Sequence, residues 1–397
     1  MSTLKVDAIR HNSATSDAIT TASDGTCTAR ITSIGGGGLS HRNIIINGAM
    51  NVAQRATSTT SNGYGFVDRF QTNVASLGTG GNVTRSQQSL SSSDTGPWQA
   101  GFRKYARMAT VAAGTASAGS SIDFYTHIEA QDIANSGWDY TSSSGKITLS
   151  FWFRCSANQT FYTYVRSRDG TQQGYTFAFT ASGNNTWTKI THTIPGNSNI
   201  TFDNDNGVGL SLYWIPYYGT TYTNNKTLNT WAEHSGSNTS PDMQSTWLTS
   251  GAATWDITGI QLEVGDTATT FEHRSYGDEL LRCQRYFYQA TKIGTTSEVT
   301  NRPICIGTMF SSSDMRAIID FPVEMRATPT LSSNDTSNSF YLQRNGTADF
   351  FDRLDGYYLT KKRATVRNSA HVSGTAGQAG IVAQETGDSN VNFSAEL

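Results

Sequence analysis

Four groups of residues in this chain have types and spacings suited to chemistry. The first is Trp214-Ile215-Pro216-Tyr217-Tyr218-Gly219-Thr220-Thr221-Tyr222. Sugars present apolar C–H faces beside hydroxyls, and Tyr and Trp offer a flat apolar ring with a polar edge. Pro216 and Gly219 predict a loop, where binding residues concentrate. Trp214, Tyr217, Tyr218 and Tyr222 are therefore glycan-binding candidates, set against the commoner role of packing a sheet or a subunit contact. The second group is Tyr357-Tyr358 with Lys361-Lys362-Arg363, an aromatic and basic cluster suited to an anionic polysaccharide. Its bland counterpart is a charged sheet edge that deters aggregation.

The third group, Asp203-Asn204-Asp205-Asn206-Gly207, imitates the start of a calcium loop, because hard cations collect closely spaced oxygens. It lacks a third acidic position and a distal Glu, so a plain Asx turn is the stronger expectation. Asp203 and Asp205 stay a minor calcium option, and no cofactor is expected. The fourth group is Asp123, Glu129 and Asp132. A glycosidase needs two carboxylates across a cleft, yet Asp123 and Glu129 would lie on one strand face about 20 Å apart. The seven histidines are dispersed without metal-ligand spacing, and no nucleophile elbow, P-loop or His-Glu-x-x-His is present. A non-enzymatic protein is expected.

The elements that must position these residues read as β-structure. The 397 residues include 45 Ser, 55 Thr, 26 Asn and 37 Gly, while charged residues are only 15%. Polarity carried by neutral groups, with 11% aromatics, suits antiparallel strands joined by turns. Alternation supports this. Ile147, Leu149, Phe151 and Phe153 share one face, as do Tyr175, Phe177 and Phe179, and Val208, Leu210, Leu212 and Trp214. The phase slips between Ile257 and Ile260, which predicts a β-bulge at Gly259. All eight Trp lie between residues 98 and 255, marking a central unit. The expectation is an all-β chain: an N-terminal arm and Gly linker over 1–40, a jelly-roll-like β-sandwich over 41–274, a linking helix over 275–290, and a smaller β-sandwich domain over 291–397. The helix is signalled by a Ser275 cap, Asp278 and Glu279 in its first turn, and a stripe of Leu280, Leu281, Gln284, Phe287 and Tyr288.

The net charge of -2 disfavours nucleic acid as a partner, and no stretch is long and apolar enough for membrane insertion. The start has no signal-peptide pattern, so synthesis in a reducing cytoplasm is expected. Four widely spaced cysteines predict free thiols.

Several blocks resemble a group of bacteriophage tail-fibre proteins, including marine and cyanobacterial phage fibres. They are Asn43 to Arg55, Gly65 to Phe70, Ile147 to Trp152, Ile257 to Gly265, Ala268 to Leu280, Cys283 to Tyr286, Phe321 to Thr330 and Ser394 to Leu397. The resemblance implies a homotrimeric virion protein without catalytic residues. It implies attachment to tail or baseplate proteins through the N-terminal arm (Leu4, Val6 and Ile9) and presentation of the distal part to host surface polysaccharide or lipopolysaccharide. A polysaccharide-degrading tailspike and a purely structural tail component are the alternatives. The first would call for a repetitive β-helix with clustered acids, and no such repeat is present.

Overall fold

The computed structural model describes residues 6–10, 12–13, 17–29, 41–79, 81–291, 301–333, 337–385 and 389–397. Leu4 lies outside them. In the arm, β1 (Ala8–Ile9), β2 (Ile19–Thr21) and β3 (Cys27–Ala29) form a small antiparallel sheet. Val6 and Ile9 are exposed. No described helix is long and apolar enough to cross a membrane.

The central unit is a two-sheet sandwich. Its strands are β4 (Ser58–Thr59), β5 (Phe70–Ala75), β6 (Asn82–Ser89), β7 (Lys104–Ala112), β8 (Ser121–Glu129), β9 (Lys146–Cys155), β10 (Asn158–Ser167), β11 (Gln173–Ser182), β12 (Thr188–Pro195), β13 (Val208–Tyr218), β14 (Trp231–Glu233) and β15 (Thr254–Val264). One sheet runs β14-β11-β10-β13-β8-β5 and the other β12-β9-β15-β7-β6-β4. Short helices α1 (Ala130–Ala134) and α2 (Thr246–Thr249) fill connections. The period-2 residues meet between the sheets: Ile147, Leu149, Phe151 and Phe153 from one side, and Leu210, Leu212 and Trp214 from the other, all buried.

The bulge expected at Gly259 is present. The β15–β9 register shifts between Thr258 and Gln261, and Gly259 has φ +64°, a conformation that favours glycine. A Cβ there would also sit 2.6 Å from the Phe102 ring. Beyond the bulge β15 parts from β7, whose pairing stops at Ile257. The segment around Asn43–Gly48 takes over. Ile44 N–H donates to Leu262 O and Ile260 N–H to Gly48 O, both at 2.9 Å. The Asn43 amide donates to Ile260 O and accepts from Leu262 N–H.

Helix α3 (Tyr276–Gln284) is capped by Ser275, whose Oγ accepts from Asp278 N–H. The expectation of a helical stripe reaching Phe287 and Tyr288 is corrected. The helix ends at Gln284, its buried side chains are Glu279 and Cys283, and Leu281 is exposed. Phe287 and Tyr288 instead belong to a strand, because the chain turns to bring Arg285 and Tyr286 onto Glu129.

The distal unit contains β16 (Phe287–Gln289), β17 (Arg302–Met309), β18 (Met315–Asp320), β19 (Thr330–Ser333), β20 (Phe340–Arg344), β21 (Thr347–Phe351), β22 (Asp355–Leu359), β23 (Arg363–Asn368), β24 (Ala379–Gln384) and β25 (Val391–Ser394). A seven-stranded sheet, β21-β20-β24-β17-β18-β23-β22, faces a three-stranded one, β16-β25-β19. They share a second core around Met315, Phe340, Val366 and Phe393.

The two units meet through buried charge. Arg69 is 1% exposed; it pairs with Glu396, and its guanidinium lies 3.4 Å over the Tyr286 ring. Arg55 also binds Glu396, at 3.1 Å, and covers Phe287 at 3.5 Å. Glu129, wholly buried, accepts from Arg285 at 2.8 Å through both oxygens and from the Tyr286 hydroxyl at 2.5 Å. Arg326 donates to Ala395 O and Glu396 O on one side and to Asn206 O on the other. Burial alone would raise the Glu129 carboxyl, but hydrogen bonds from Arg285 and Tyr286 outweigh it and hold it low. Among the cysteines whose side chains are described, Cys155, Cys283 and Cys305 are free. Burial pushes Cys155 and Cys305 up to about 12 and Cys283 well above the usual thiol range.

Breaking a buried pair by removing one partner strands the other charge and costs about 3–5 kcal/mol. Glu396→Gln is expected to destabilise the chain by that amount in urea titration. Arg69→Met with Glu396→Leu should recover part of the loss, because Arg69 is no longer stranded, while Arg55 keeps only Asp68 at 4.0 Å.

Candidate functional site

The leading sequence candidates are not where a ligand could reach them. Residues 208–218 form a strand inside the first sheet rather than a loop. Trp214 is 0% exposed. Its ring packs against Phe124 and Phe151 at about 6 Å, and its Nε1 finds no acceptor among the described residues, so it serves as volume. Tyr217 joins the same core. A register shift between Trp214 and Tyr217 absorbs Pro216 and turns Tyr218 to the opposite face. There Tyr218 is buried and Tyr222 half-buried, packed with Tyr162, Ile215, Leu228 and Met243. The expectation of an aromatic binding loop at 214–222 is thus replaced by two packing layers.

The distal cluster is at the surface. Tyr358 is 65% exposed, while Tyr357 is stacked beneath Arg316 at 4.3 Å. Lys361 and Lys362 lie in the turn between β22 and β23, Arg363 opens β23, and all three are exposed. Lys362 faces Glu324, and Arg363 faces Asp320. Both pairs are exposed and contribute little to stability. In the 203–207 segment, Asp205 Oδ1 accepts from Gly207 N–H at 2.7 Å, which is the Asx turn. Asp203 contributes its N–H to Asp169. Among the described residues no group of three or more His, Cys, Asp or Glu could hold a metal.

What the structure does bring together is the outer face of the first sheet. Where Leu210, Leu212 and Trp214 point inward on β13, Ser211 and Tyr213 point outward. The same alternation turns Tyr125 and His127 outward on β8, Tyr164 and Arg166 on β10, and Gln71 on β5. The strand register aligns them in rows. Gln71, Tyr125, Tyr213 and Tyr164 are successive cross-strand partners, and so are His127, Ser211 and Arg166. Tyr125 and Tyr213 stack at 4.9 Å with 24° between planes, and Tyr213 and Tyr164 lie 6.1 Å apart. Gly174 opposite Arg166 leaves room for the Tyr164 hydroxyl, which a Cβ would strike.

The polar edges of these rings are fixed. The Tyr125 hydroxyl donates to Gln71 Oε1 at 2.9 Å. The Tyr164 hydroxyl meets His234 Nδ1 at 2.6 Å, and His127 Nδ1 meets Ser211 Oγ at 2.8 Å. Arg166 Nε donates to Gln172 Oε1 at 2.7 Å. Tyr125, His127, Arg166, Tyr213 and His234 are each half-buried and Tyr164 is buried, so the stacked Tyr125 and Tyr213 form an aromatic floor with polar edges partly open to solvent. The loops carrying Tyr222 and Met243 pack beside Tyr218 at one end, and Leu397 O, which accepts from Gln71, bounds the β5 side.

Asp123 lies one step along β8 from this floor. It is 7% exposed, and burial raises its carboxyl to about 6 despite hydrogen bonds from Tyr218 and Asn73. Its Oδ1 finds no hydrogen-bond partner among the described residues. Glu129, at the other end of β8, is committed to Arg285 and Tyr286. The two carboxylates therefore do not face each other across a cleft.

The sequence carried a signal for this face. The outward residues are the complement of the inward alternation on β8, β10 and β13, and three of them are tyrosines in register. Of these three strands only β13 is predicted above, from Val208, Leu210, Leu212 and Trp214.

A two-sheet sandwich with an open aromatic face is the class this geometry defines. No protein-family description and no curated protein matches the chain. Similar solved structures include the enzymatically active domain of tailspike protein 4 of bacteriophage CBA120, at 10% identity and TM-score 0.30, covering 59% of this chain and 24% of that one. Others are the family 11 carbohydrate-binding module of the cellulosomal cellulase Lic26A-Cel5E of Clostridium thermocellum, at 12% identity and TM-score 0.25, covering 55% and 98%, and TmCBM61 in complex with β-1,4-galactotriose, at 8% and 0.28, covering 56% and 99%. The chain thus spans about a quarter of the tailspike domain it matches. At these scores the likeness carries no functional argument, and the site is read from its own residues.

Burial lowers His127 to about 3, with the charges of Arg168, Arg69 and Arg166 adding to it. Burial also lowers His234 to about 4, aided by Arg166, Arg168 and Lys226. Both folded values lie below the free value of 6.5, so the unfolded chain binds more protons at acid pH. Their stabilising contribution is full above pH 6.5 and is lost as pH falls towards 3. Asp123, raised to about 6, acts oppositely, its contribution fading as pH rises from 3.8 to 6. Comparing thermal midpoints of wild type and His127→Gln isolates the histidine: the variant should lose less stability between pH 6.5 and 4.

Proposed function

We propose that this chain is a non-enzymatic glycan-binding protein of the bacteriophage tail-fibre kind. The observation that carries the glycan part is the in-register row Tyr125, Tyr213 and Tyr164 on the outer face of the first sheet. The half-buried rings of Tyr125 and Tyr213, with the buried Tyr164 beside them and hydroxyls held by Gln71 and His234, suit a sugar, whose C–H groups seek apolar surface and whose hydroxyls seek fixed polar edges. The rings sit on strands rather than loops, so little ordering cost is left for binding.

The fibre part is supported by the sequence blocks that resemble tail fibres. Those blocks supply the junction residues Asn43, Asn47, Asp68, Arg69, Glu279, Arg285 and Glu396. In this reading the N-terminal arm attaches to the tail, three chains associate, and several weak sugar contacts act together through avidity. The non-enzymatic part is supported by Asp123 and Glu129, which serve separate local networks.

Truncating Tyr213 removes the middle ring of the row and leaves the core between the sheets intact, although Tyr213 also borders the outer cluster around Tyr164 and Tyr218. Tyr213→Ala is expected to weaken retention on glycans that bind the wild-type chain by about tenfold or more, as loss of a stacked ring does. The Tyr358→Ala variant should bind as wild type. Equal binding by the Tyr213 variant, with an unchanged melting temperature, would move the site elsewhere. A steady release of new reducing ends from those glycans would instead favour a degrading tailspike.

A further inference from the structure

The outer face is electrically lopsided. Arg166 and Arg168 follow Tyr162 and Tyr164 in the outward alternation of β10 and its continuation. Their charges act together on His127 and on His234. Several arginines of this chain sit on carboxylates: Arg69 on Glu396, Arg107 and Arg154 on Asp256, Arg285 on Glu129, and Arg344 on Asp349; Arg85 and Arg326 instead have their guanidinium N–H groups taken up by several carbonyl and amide oxygens. Arg166 has no carboxylate partner among the described residues. Its Nε is spent on the neutral Gln172, and it meets the Tyr213 hydroxyl, so it is anchored beside the central ring of the row. Burial and the neighbouring Arg168 both work against its charge and lower its pKa. The two histidines beside it are neutral or cationic, never anionic, and so do not compensate it.

The acidic groups near this end are engaged or peripheral. Asp169, next to Arg168, accepts from Asp203 N–H. Glu129 is committed to Arg285 and Tyr286. Asp123 lies beyond Tyr125, towards the opposite end of the face. A half-buried guanidinium, oriented by its own Nε contact and lacking an anion, is a receptor for one. Guanidinium recognises planar carboxylate in bidentate fashion, and burial strengthens the pairing.

We propose, resting on the glycan reading above, that the ligand is an acidic polysaccharide. A sugar ring stacks on Tyr213 and Tyr125 and its carboxylate is received by Arg166, with Arg168 adding to the field. The row then has a direction: the anionic substituent lies towards His127 and Arg166, and the uncharged part of the chain towards Asp123 and Tyr218.

The test is affinity electrophoresis of the full-length chain in gels containing alginate, polygalacturonate or hyaluronate, set against dextran, laminarin and carboxyl-reduced alginate. Wild type should be retarded by at least one uronic-acid polymer, and about tenfold less by its carboxyl-reduced form, as expected for loss of a charge-assisted contact. Retardation should weaken between about 50 and 500 mM salt. Arg166→Gln should abolish the preference for the acidic polymer, Arg166→Lys should restore part of it, and Arg363→Gln should leave it intact. Tyr213→Ala should lose acidic and neutral polymers alike. Binding confined to neutral polymers, or unaffected by Arg166→Gln in a variant of unchanged melting temperature, overturns the acidic assignment and leaves the glycan reading standing. Absence of retardation by every polymer, with the protein folded, overturns both.

Discussion

The buried guanidinium of Arg69 is the constraint around which the two units are arranged. It lies between sheet and distal unit with almost no water, so its charge must be answered locally. Glu396 answers it from one side and the Tyr286 ring from another. Arg55 repeats the arrangement on Glu396 and Phe287, while Glu129 and Arg285 form the reciprocal pair, acid from the sandwich and base from beyond the helix. Each pair draws one partner from residues 43–129 and the other from residues 285–396. Neither unit can shift far without stranding a charge in a dry place.

This explains why widely separated stretches of sequence stand out as blocks. Asn47, at φ +60°, donates to Val52 O and Asp68 O and accepts from Val52 N–H. Its own N–H goes to Glu279. Arg274 ties Ile45 O to Glu279 and Glu272. Polar side chains that read as surface chemistry in one dimension are here the internal fastenings of a joint.

Much of the fold was legible because strand alternation is a local property. The inward set of Ile147 to Phe153, the bulge at Gly259 and the Ser275 cap each follow from a few adjacent residues. The site was less legible for two reasons. Pro216 and Gly219 suggested a loop, whereas a register shift after Trp214 lets Pro216 remain within β13 and turns Tyr217 inward. The useful tyrosines come from three strands far apart in sequence, and only cross-strand register puts Tyr125, Tyr213 and Tyr164 side by side. The helix was overextended because Phe287 and Tyr288 fit its period, and nothing local says that Arg285 and Tyr286 are claimed by Glu129.

The thiols add a different kind of property. The thiolate, not the thiol, is the species that oxidises, exchanges and binds metals. Cys155, Cys283 and Cys305 are all held far towards the protonated form by burial. The covalent structure around them is therefore indifferent to the redox potential of its surroundings. At these three positions the fold has no bond to form or to lose when the redox potential around it changes.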